Sequence, residues 1–343
     1  MNISSLCILR LSAIGDVCHA VALVERIQRH APDIKITWIV GKLEHQLVAD
    51  IPGIEFIVFD KQKGRQAYKE LNAKLNGRIF DVLFAMQVAL RANWAVKSIK
   101  AHRKIGFDWQ RSKEFHWLVT NEHIQAQKHP HVLDGFMAFA DAIGIPSDGQ
   151  VRWHIPIPDE DAIWARQATS SFNDYAVICP AASNPDRNWL PQRYAETVDY
   201  LNSKGLGVIL CGGPSDAEKA LGEKIESFSR RVSKNMIGQT SLKQLLALLQ
   251  GARLVVAPDT GPAHMATTVG TPVVGLYAHS NPLRTGPYNN LDDVVSVYEK
   301  HIKQQKGADW QQLKWGVRAK GKSLMSSIKS KEVFARIDRL LSQ

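Results

Sequence analysis

The 343-residue chain carries only four cysteines, Cys7, Cys18, Cys179 and Cys211, and none of them form a C-x-x-C pair. Three sit inside apolar, strand-like runs. That pattern predicts reduced, buried thiols in a cytoplasmic protein and argues against a disulfide framework or a structural metal site. No window reaches the roughly 18 apolar residues needed to cross a bilayer. The short apolar run from Leu6 is broken by Arg10 and Asp16, so no signal peptide is expected. Short internal repeats and low-complexity tracts are missing as well. A G-x-G-x-x-G turn does not follow the first apolar run, which counts against a dinucleotide-dependent oxidoreductase.

What is present is an ordinary globular composition, 45% hydrophobic and 22% charged, long enough for two domains. The net charge is +10, and its location is informative. Residues Lys61 to Lys113 hold 13 basic and 3 acidic side chains. A second cluster, Lys300 to Lys322, holds 7 basic residues against Asp309 alone. Solvated helix faces would account for either cluster, but such concentration raises the case for an anionic partner. Few aromatics interleave with the basic residues, which weakens the reading as a nucleic-acid binder.

Apolar runs and helical patterns alternate along both halves, which implies βαβ units and parallel sheets. Strands are predicted at Leu6–Leu11, Lys35–Val40, Glu55–Phe59, Asp81–Met86 and Lys104–Phe107, then at Tyr175–Cys179, Val208–Cys211, Leu254–Ala257 and Val273–Tyr277. Between the halves, "AIGIPSDGQVRWHIPIPDED" has little periodicity and reads as a linker. The expected architecture is two doubly wound α/β domains facing across a cleft. Ligands in such sheets bind beyond the carboxyl ends of the strands.

Chemistry concentrates at those ends. In "ILRLSAIGDVCHA" the first strand turns into a helix where a nucleotide-binding fold would cradle phosphate, yet Asp16 occupies the anion's place. It is either a helix cap or a proton acceptor. In the second half, "CPAASNPDRNW" supplies Ser183 and Arg187, both suited to phosphate oxygens. "CGGPSDAEK" supplies a glycine turn and Asp216, a helix cap or a ribose ligand. "APDTGPAHMA" supplies Thr260 and Gly261 at a helix start, with His264 close behind. Each residue has an ordinary structural role open to it. Their shared position at one end of one sheet favours a site.

Three blocks carry a resemblance: "SAIGDVCHA", "DRNWLPQRYA" and "VAPDTGPAHMATTVGTPVVGLYA". They resemble family 9 glycosyltransferases, the lipopolysaccharide heptosyltransferases. "GFDWQRSKE" is similar to the subgroup that adds the first heptose. The resemblance implies a GT-B fold of two Rossmann-like domains. Residues 1–155 would bind the acceptor and 170–325 the nucleotide sugar, and a helix in 326–343 would cross back to the first domain. It implies an ADP-glycero-manno-heptose donor and a Kdo-lipid A acceptor on the anionic cytoplasmic face of the inner membrane, with inversion at the anomeric carbon. Another nucleotide-sugar transferase of the same fold is the alternative. By resemblance Asp16 is the base, with Gly15 leaving room for the acceptor. Arg187, Ser183, Thr260 and Gly261 contact the pyrophosphate, Asp216 the ribose and Asp259 the heptose. On the acceptor side, Lys61, Lys63, Arg65, Arg103, Lys104 and Lys113 match a generally basic region. The small residues of "CPAAS" depart from a more threonine-rich family turn. No cofactor is implied, and no D-x-D pair near the phosphate turns calls for a metal. Lys300–Lys322, with Trp310 and Trp315, is a candidate for contact with anionic headgroups.

Overall fold

The structure is a computed structural model describing residues 3–231 and 233–343. Two compact units divide the chain, Met1–Pro156 and Ile157–Gln343.

The first unit holds strands β1 (Ser5–Leu9), β2 (Lys35–Gly41), β3 (Ile54–Phe59), β4 (Ile79–Ala85), β5 (Lys100–Gly106) and β6 (Glu122–His123). They pair parallel in the order β3-β2-β1-β4-β5-β6. Helices α1 (Ile14–His30), α2 (Lys42–Val48), α3 (Arg65–Leu75), α4 (Leu90–Ser98) and α5 (Val132–Asp141) connect and cover the sheet. Sheets covered on both faces take strands that are apolar throughout rather than alternating. Leu6 to Leu9 are accordingly all buried. The edge of the central pair is tied by Asp81 at β4. Its Oδ2 accepts from the amides and hydroxyls of both Ser4 and Ser5, at 2.8–3.0 Å. These bonds hold the Asp81 carboxyl well below the usual range, at about 2.

The second unit repeats the order of the first. Its strands are β7 (Tyr175–Ile178), β8 (Gly207–Leu210), β9 (Lys234–Asn235), β10 (Val255–Pro258), β11 (Val273–Tyr277) and β12 (Val295–Ser296). They run β12-β11-β10-β7-β8-β9, all parallel. Helices α6 (Asp159–Ala168), α7 (Pro191–Ser203), α8 (Asp216–Phe228), α9 (Leu242–Gly251) and α10 (Gly261–Thr268) are followed by α11 (Pro282–Thr285), α12 (Tyr298–Lys306) and α13 (Ser330–Leu341). Read from its own first strand, each sheet has the doubly wound order 3-2-1-4-5-6, with the switch between strands one and four. The α/β expectation is met. Edge strands β6, β9 and β12 and helices α5, α6, α11 and α12 add to the elements read from the sequence.

Helix α13 lays its apolar face in the core of the second unit. Val333, Ile337 and Leu340 are buried there with Trp189 and Tyr194. Phe334 stacks on Tyr200 of α7 at 4.0 Å, and Asp338 accepts from the Tyr200 hydroxyl at 2.6 Å. Burying each aliphatic side chain is worth about 1.5–3 kcal/mol. That apolar stripe therefore fixes the helix to α7.

All four cysteines are buried and free. Burial pushes the Cys7, Cys18 and Cys179 thiols well up, and that of Cys211 to about 12. None is a nucleophile near neutral pH.

Candidate active site

At the switch of the first unit, β1 ends at Leu9 and α1 begins at Ile14. Ala13 takes the N-cap position, so Asp16 is not the cap but the third residue of the helix. Its carboxylate reaches back: Oδ2 accepts from the Ala13 amide at 3.3 Å and pairs with the Arg10 guanidinium. Both contacts fall on Oδ2, and Oδ1 has no partner among the described residues. Arg10 is itself fixed by the Met86 carbonyl at the end of β4 and stands over the Phe136 ring at 5.2 Å. Gln87 closes the turn, its Oε1 accepting from the Leu11 amide at 2.8 Å. Gly15 is buried beside Asp16. The result is a carboxylate gripped on one oxygen and open on the other.

The corresponding switch of the second unit lies between β7 and β10. A short turn of helix at Pro185–Arg187 follows β7 and is capped by Asn184, which accepts from the Asp186 amide at 3.1 Å. It brings Arg187 across to β10. Arg187 Nη1 donates to the Asp259 carbonyl at 2.9 Å and to Asp259 Oδ2 at 3.3 Å, while Nη2 donates to Ser183 Oγ at 2.9 Å. Asp259 Oδ2 also accepts from Ser280 Oγ at 2.6 Å, which adds the end of β11. Arg187 Nε is buried without a partner among the described residues, as is Asn281 Nδ2. Thr260 stands at the N-cap of α10 but makes no side-chain cap. Pro262 has no N–H and the Ala263 amide donates to the Thr260 carbonyl at 3.2 Å, so the Gly261 amide opens the helix beside a fixed cation. His264 is buried one turn in.

A model of "Glycosyltransferase family 9 (heptosyltransferase)" matches residues 68–314. The chain is a family 9 glycosyltransferase. It is 45% identical to the lipopolysaccharide core heptosyltransferase OpsX of Haemophilus influenzae, over 98% of this chain and 96% of that one. It is 23% identical to lipopolysaccharide heptosyltransferase 1 of Escherichia coli K12, over 86% and 94%. Among solved structures, a family 9 glycosyltransferase of Veillonella parvula superposes with a TM-score of 0.79 at 22% identity, over 99% and 97% of the two chains. The E. coli ADP-heptose lps heptosyltransferase II superposes at 0.75 and 19%, over 99% of each. The enzyme thus belongs to the lipopolysaccharide heptosyltransferases and has their GT-B type of α/β fold.

The remaining expected residues of this glycosyltransferase divide by what already holds them. Asp216 is exposed and is not the cap of α8. Ser215 is, accepting from the Glu218 amide at 3.3 Å. Glu218 fills the glycine turn, its Oε2 accepting from the Gly213 amide at 2.6 Å. A Cβ on Gly213 would sit 2.9 Å from that carboxylate and would push it aside. Arg103 is bound by Glu122 through two 2.8 Å bonds and by the Ala142 carbonyl at 3.0 Å, so it is structural. Lys63 pairs with Glu70 at 2.9 Å. Lys61, Arg65 and Lys113 are exposed and make no ion pair among the described residues. Lys104 lines a cavity of about 510 Å³. Trp310 donates to Glu299 at 2.7 Å and packs on Trp315 at 5.6 Å, and both indoles are half-buried. Reading the sequence missed Arg10, Gln87 and Ser280. Only Arg10 carried a signal, a charge placed directly after an apolar strand.

Proposed function

We propose that this enzyme moves heptose from ADP-glycero-manno-heptose to a Kdo sugar of lipid A, at the cytoplasmic face of the inner membrane, with inversion and without a metal. The observation that carries the donor half is Arg187, a cation clasped at the switch point with one buried donor still unsatisfied. Buried donors without partners are rare in native structures, and a pyrophosphate oxygen suits this one.

In this reading residues 170–325 hold the donor. Arg187, Ser183 and the Thr260–Gly261 turn meet the pyrophosphate, Asp216 the ribose and Asp259 the heptose hydroxyls, with His264 shaping the wall. Residues 1–155 hold the acceptor, with Lys61, Arg65, Lys104 and Lys113 facing its anionic groups. Asp16 Oδ1 takes the proton of the attacking hydroxyl. The hydroxyl oxygen bonds to the anomeric carbon as the bond from that carbon to the diphosphate breaks. ADP leaves with the electron pair, and its new charge falls to Arg187 and the Gly261 amide at the start of α10. A single displacement of this kind needs one base rather than the two carboxylates of a glycosidase.

The test is transfer by the purified enzyme from ADP-heptose to a defined Kdo-lipid A acceptor, in EDTA, with the anomeric configuration read by NMR. The expected product has the opposite configuration to the donor. Transfer only to an acceptor that already bears heptose would shift the reading to a later step. Activity lost in EDTA and restored by magnesium would overturn the metal-free mechanism.

A further inference from the structure

Among the described residues, eleven large hydrophobic side chains are exposed, and six of them lie between residues 90 and 118. They are Leu90, Trp94, Trp109, Phe115, Trp117 and Leu118, at 45–69% exposure. Leu90 and Trp94 are one turn apart on α4 and therefore share a face. The others lie on the strap that follows β5, where Trp109 and Trp117 meet edge to face at 5.7 Å. Leu90, Trp94, Phe115 and Leu118 ring the cavity of about 510 Å³ that also holds Lys104.

This exposure is built rather than loose. Asn93 ties α4 to the strap, its Nδ2 donating to the Glu114 carbonyl at 2.7 Å. The buried ring of His116 meets Asn93 Oδ1 through Nδ1 at 2.9 Å. The Glu114 carboxylate accepts from the Leu90 amide. The fold thus fixes the strap to α4 while leaving its aromatic rings in water, where they cost hydration free energy.

The exposed charge around the patch is mostly basic. Among the described residues Arg91, Lys97, Lys100 and Lys113 are exposed and make no ion pair, and Lys97 stands over the Trp94 ring at 5.4 Å. The one acid of the strap's outer part, Glu114, is held by the end of α4. Indole rings beside uncompensated lysine and arginine suit the headgroup level of an anionic bilayer, where the ring meets the acyl boundary and the cation meets phosphate. A second copy of the same surface would oppose like charge to like. We infer that Leu90–Leu118 is an interfacial docking surface for an anionic lipid bilayer. This extends the proposed function, in which the acceptor sugar is borne on a lipid, and places membrane contact here rather than at Lys300–Lys322.

The test is sedimentation of the full chain with phosphatidylcholine–phosphatidylglycerol vesicles and with phosphatidylcholine alone. The parent is expected to bind the mixed vesicles and bind phosphatidylcholine weakly. Arg91→Glu with Lys97→Glu should weaken binding by roughly 10-fold or more at low salt. Trp94→Ser with Trp109→Ser should weaken it by several-fold even at high salt, where charge is screened. Lys300→Glu with Lys306→Glu should leave it unchanged. Equal binding by parent and both patch variants would overturn the inference, as would loss confined to the Lys300 variant. A parental dimer dissolved by the tryptophan variant would overturn it too, making the patch a self-interface. Transfer to a lipid-free Kdo acceptor is measured in parallel and should not change in any variant. Vesicle binding without transfer by the parent would refute the proposed function and leave this inference standing.

Discussion

In the first unit Arg10 joins the end of β1 to that of β4 and holds Asp16 on the way; in the second, Arg187 joins the end of β7 to that of β10 and is held by Asp259. The topology and the switch point are the same, and each carries one arginine and one aspartate. The difference lies in which partner is turned outward. Asp16 is 33% exposed against 11% for Arg10, whereas Arg187 is 17% exposed against 12% for Asp259. One unit therefore offers a carboxylate braced by a hidden cation. The other offers a cation braced by a more hidden carboxylate. Duplicate frames can serve opposite chemistry through the choice of brace, with no change in strand order.

That comparison breaks most directly at Asp16. Asn keeps the shape and the back-bond to Ala13 but is a poor base. Asp16→Asn is expected to lower kcat by roughly 10²–10⁴-fold, with ADP affinity within a few-fold of the parent in calorimetric titration. Parental turnover would reduce Asp16 to a helix-start residue and remove the contrast. The mirror change, Arg187→Ala, should weaken ADP binding by roughly 10- to 100-fold, from a charge-assisted contact of about 1.5–3 kcal/mol, while acceptor KM stays close to parental. Unchanged ADP affinity would take Arg187 out of the site.

Acid should loosen the first unit. Burial, with a smaller part from His123, pushes the His116 imidazole down to about 4. In the unfolded chain the same ring titrates near its ordinary value of about 6.5, so between the two values the unfolded state binds the extra proton. Stability falls as pH drops through that window, by on the order of 3 kcal/mol. Hydrogen-exchange protection across residues 93–118, corrected for the intrinsic rate at each pH, should fall between neutral pH and the lower end of the window. A flat profile there would mean that His116 does not fasten the strap.

The smallest effect is expected from replacing Lys61, Lys63 and Arg65 together. The acceptor KM should rise a few-fold at low salt and the salt dependence should diminish, since exposed charges are screened over roughly 10 Å at about 0.1 M. Because Lys63 is already paired with Glu70, Lys61→Ala with Arg65→Ala should reproduce most of the change. Kinetics identical to the parent at low salt would make the cluster a solvated face.

The long apolar strands and the amphipathic helices were legible because periodicity reports burial. The edge strands β6, β9 and β12 have two residues each, too short for any period. Helix α5 escaped notice because Leu133, Phe136, Ala138, Phe139 and Ala140 bury most of its surface, which erases the polar stripe. Strand-end logic pointed to Asp16, Arg187 and Asp259, which the structure places at the two switch points. It could not find Ser280 or Gln87, single polar residues whose role exists only once strands distant in sequence lie side by side. The ion pairs of the basic residues were not legible for the same reason: the partners of Arg103 and Lys63 lie 19 and 7 residues away.

Asp81, with its four bonds to Ser4 and Ser5, has a consequence for how the chain is made. Strand β1 is made before the other five strands of its sheet, yet it lies between β2 and β4, and its second neighbour ends at Ala85. At about 5–20 residues per second, translation needs roughly 4–15 s to supply that neighbour after β1 is complete. Until it is supplied the apolar segment Leu6–Leu9 has an unpaired edge. The arrival of Asp81 closes it, so the first unit cannot be finished from its beginning; its oldest strand waits for residues made about 75 positions later.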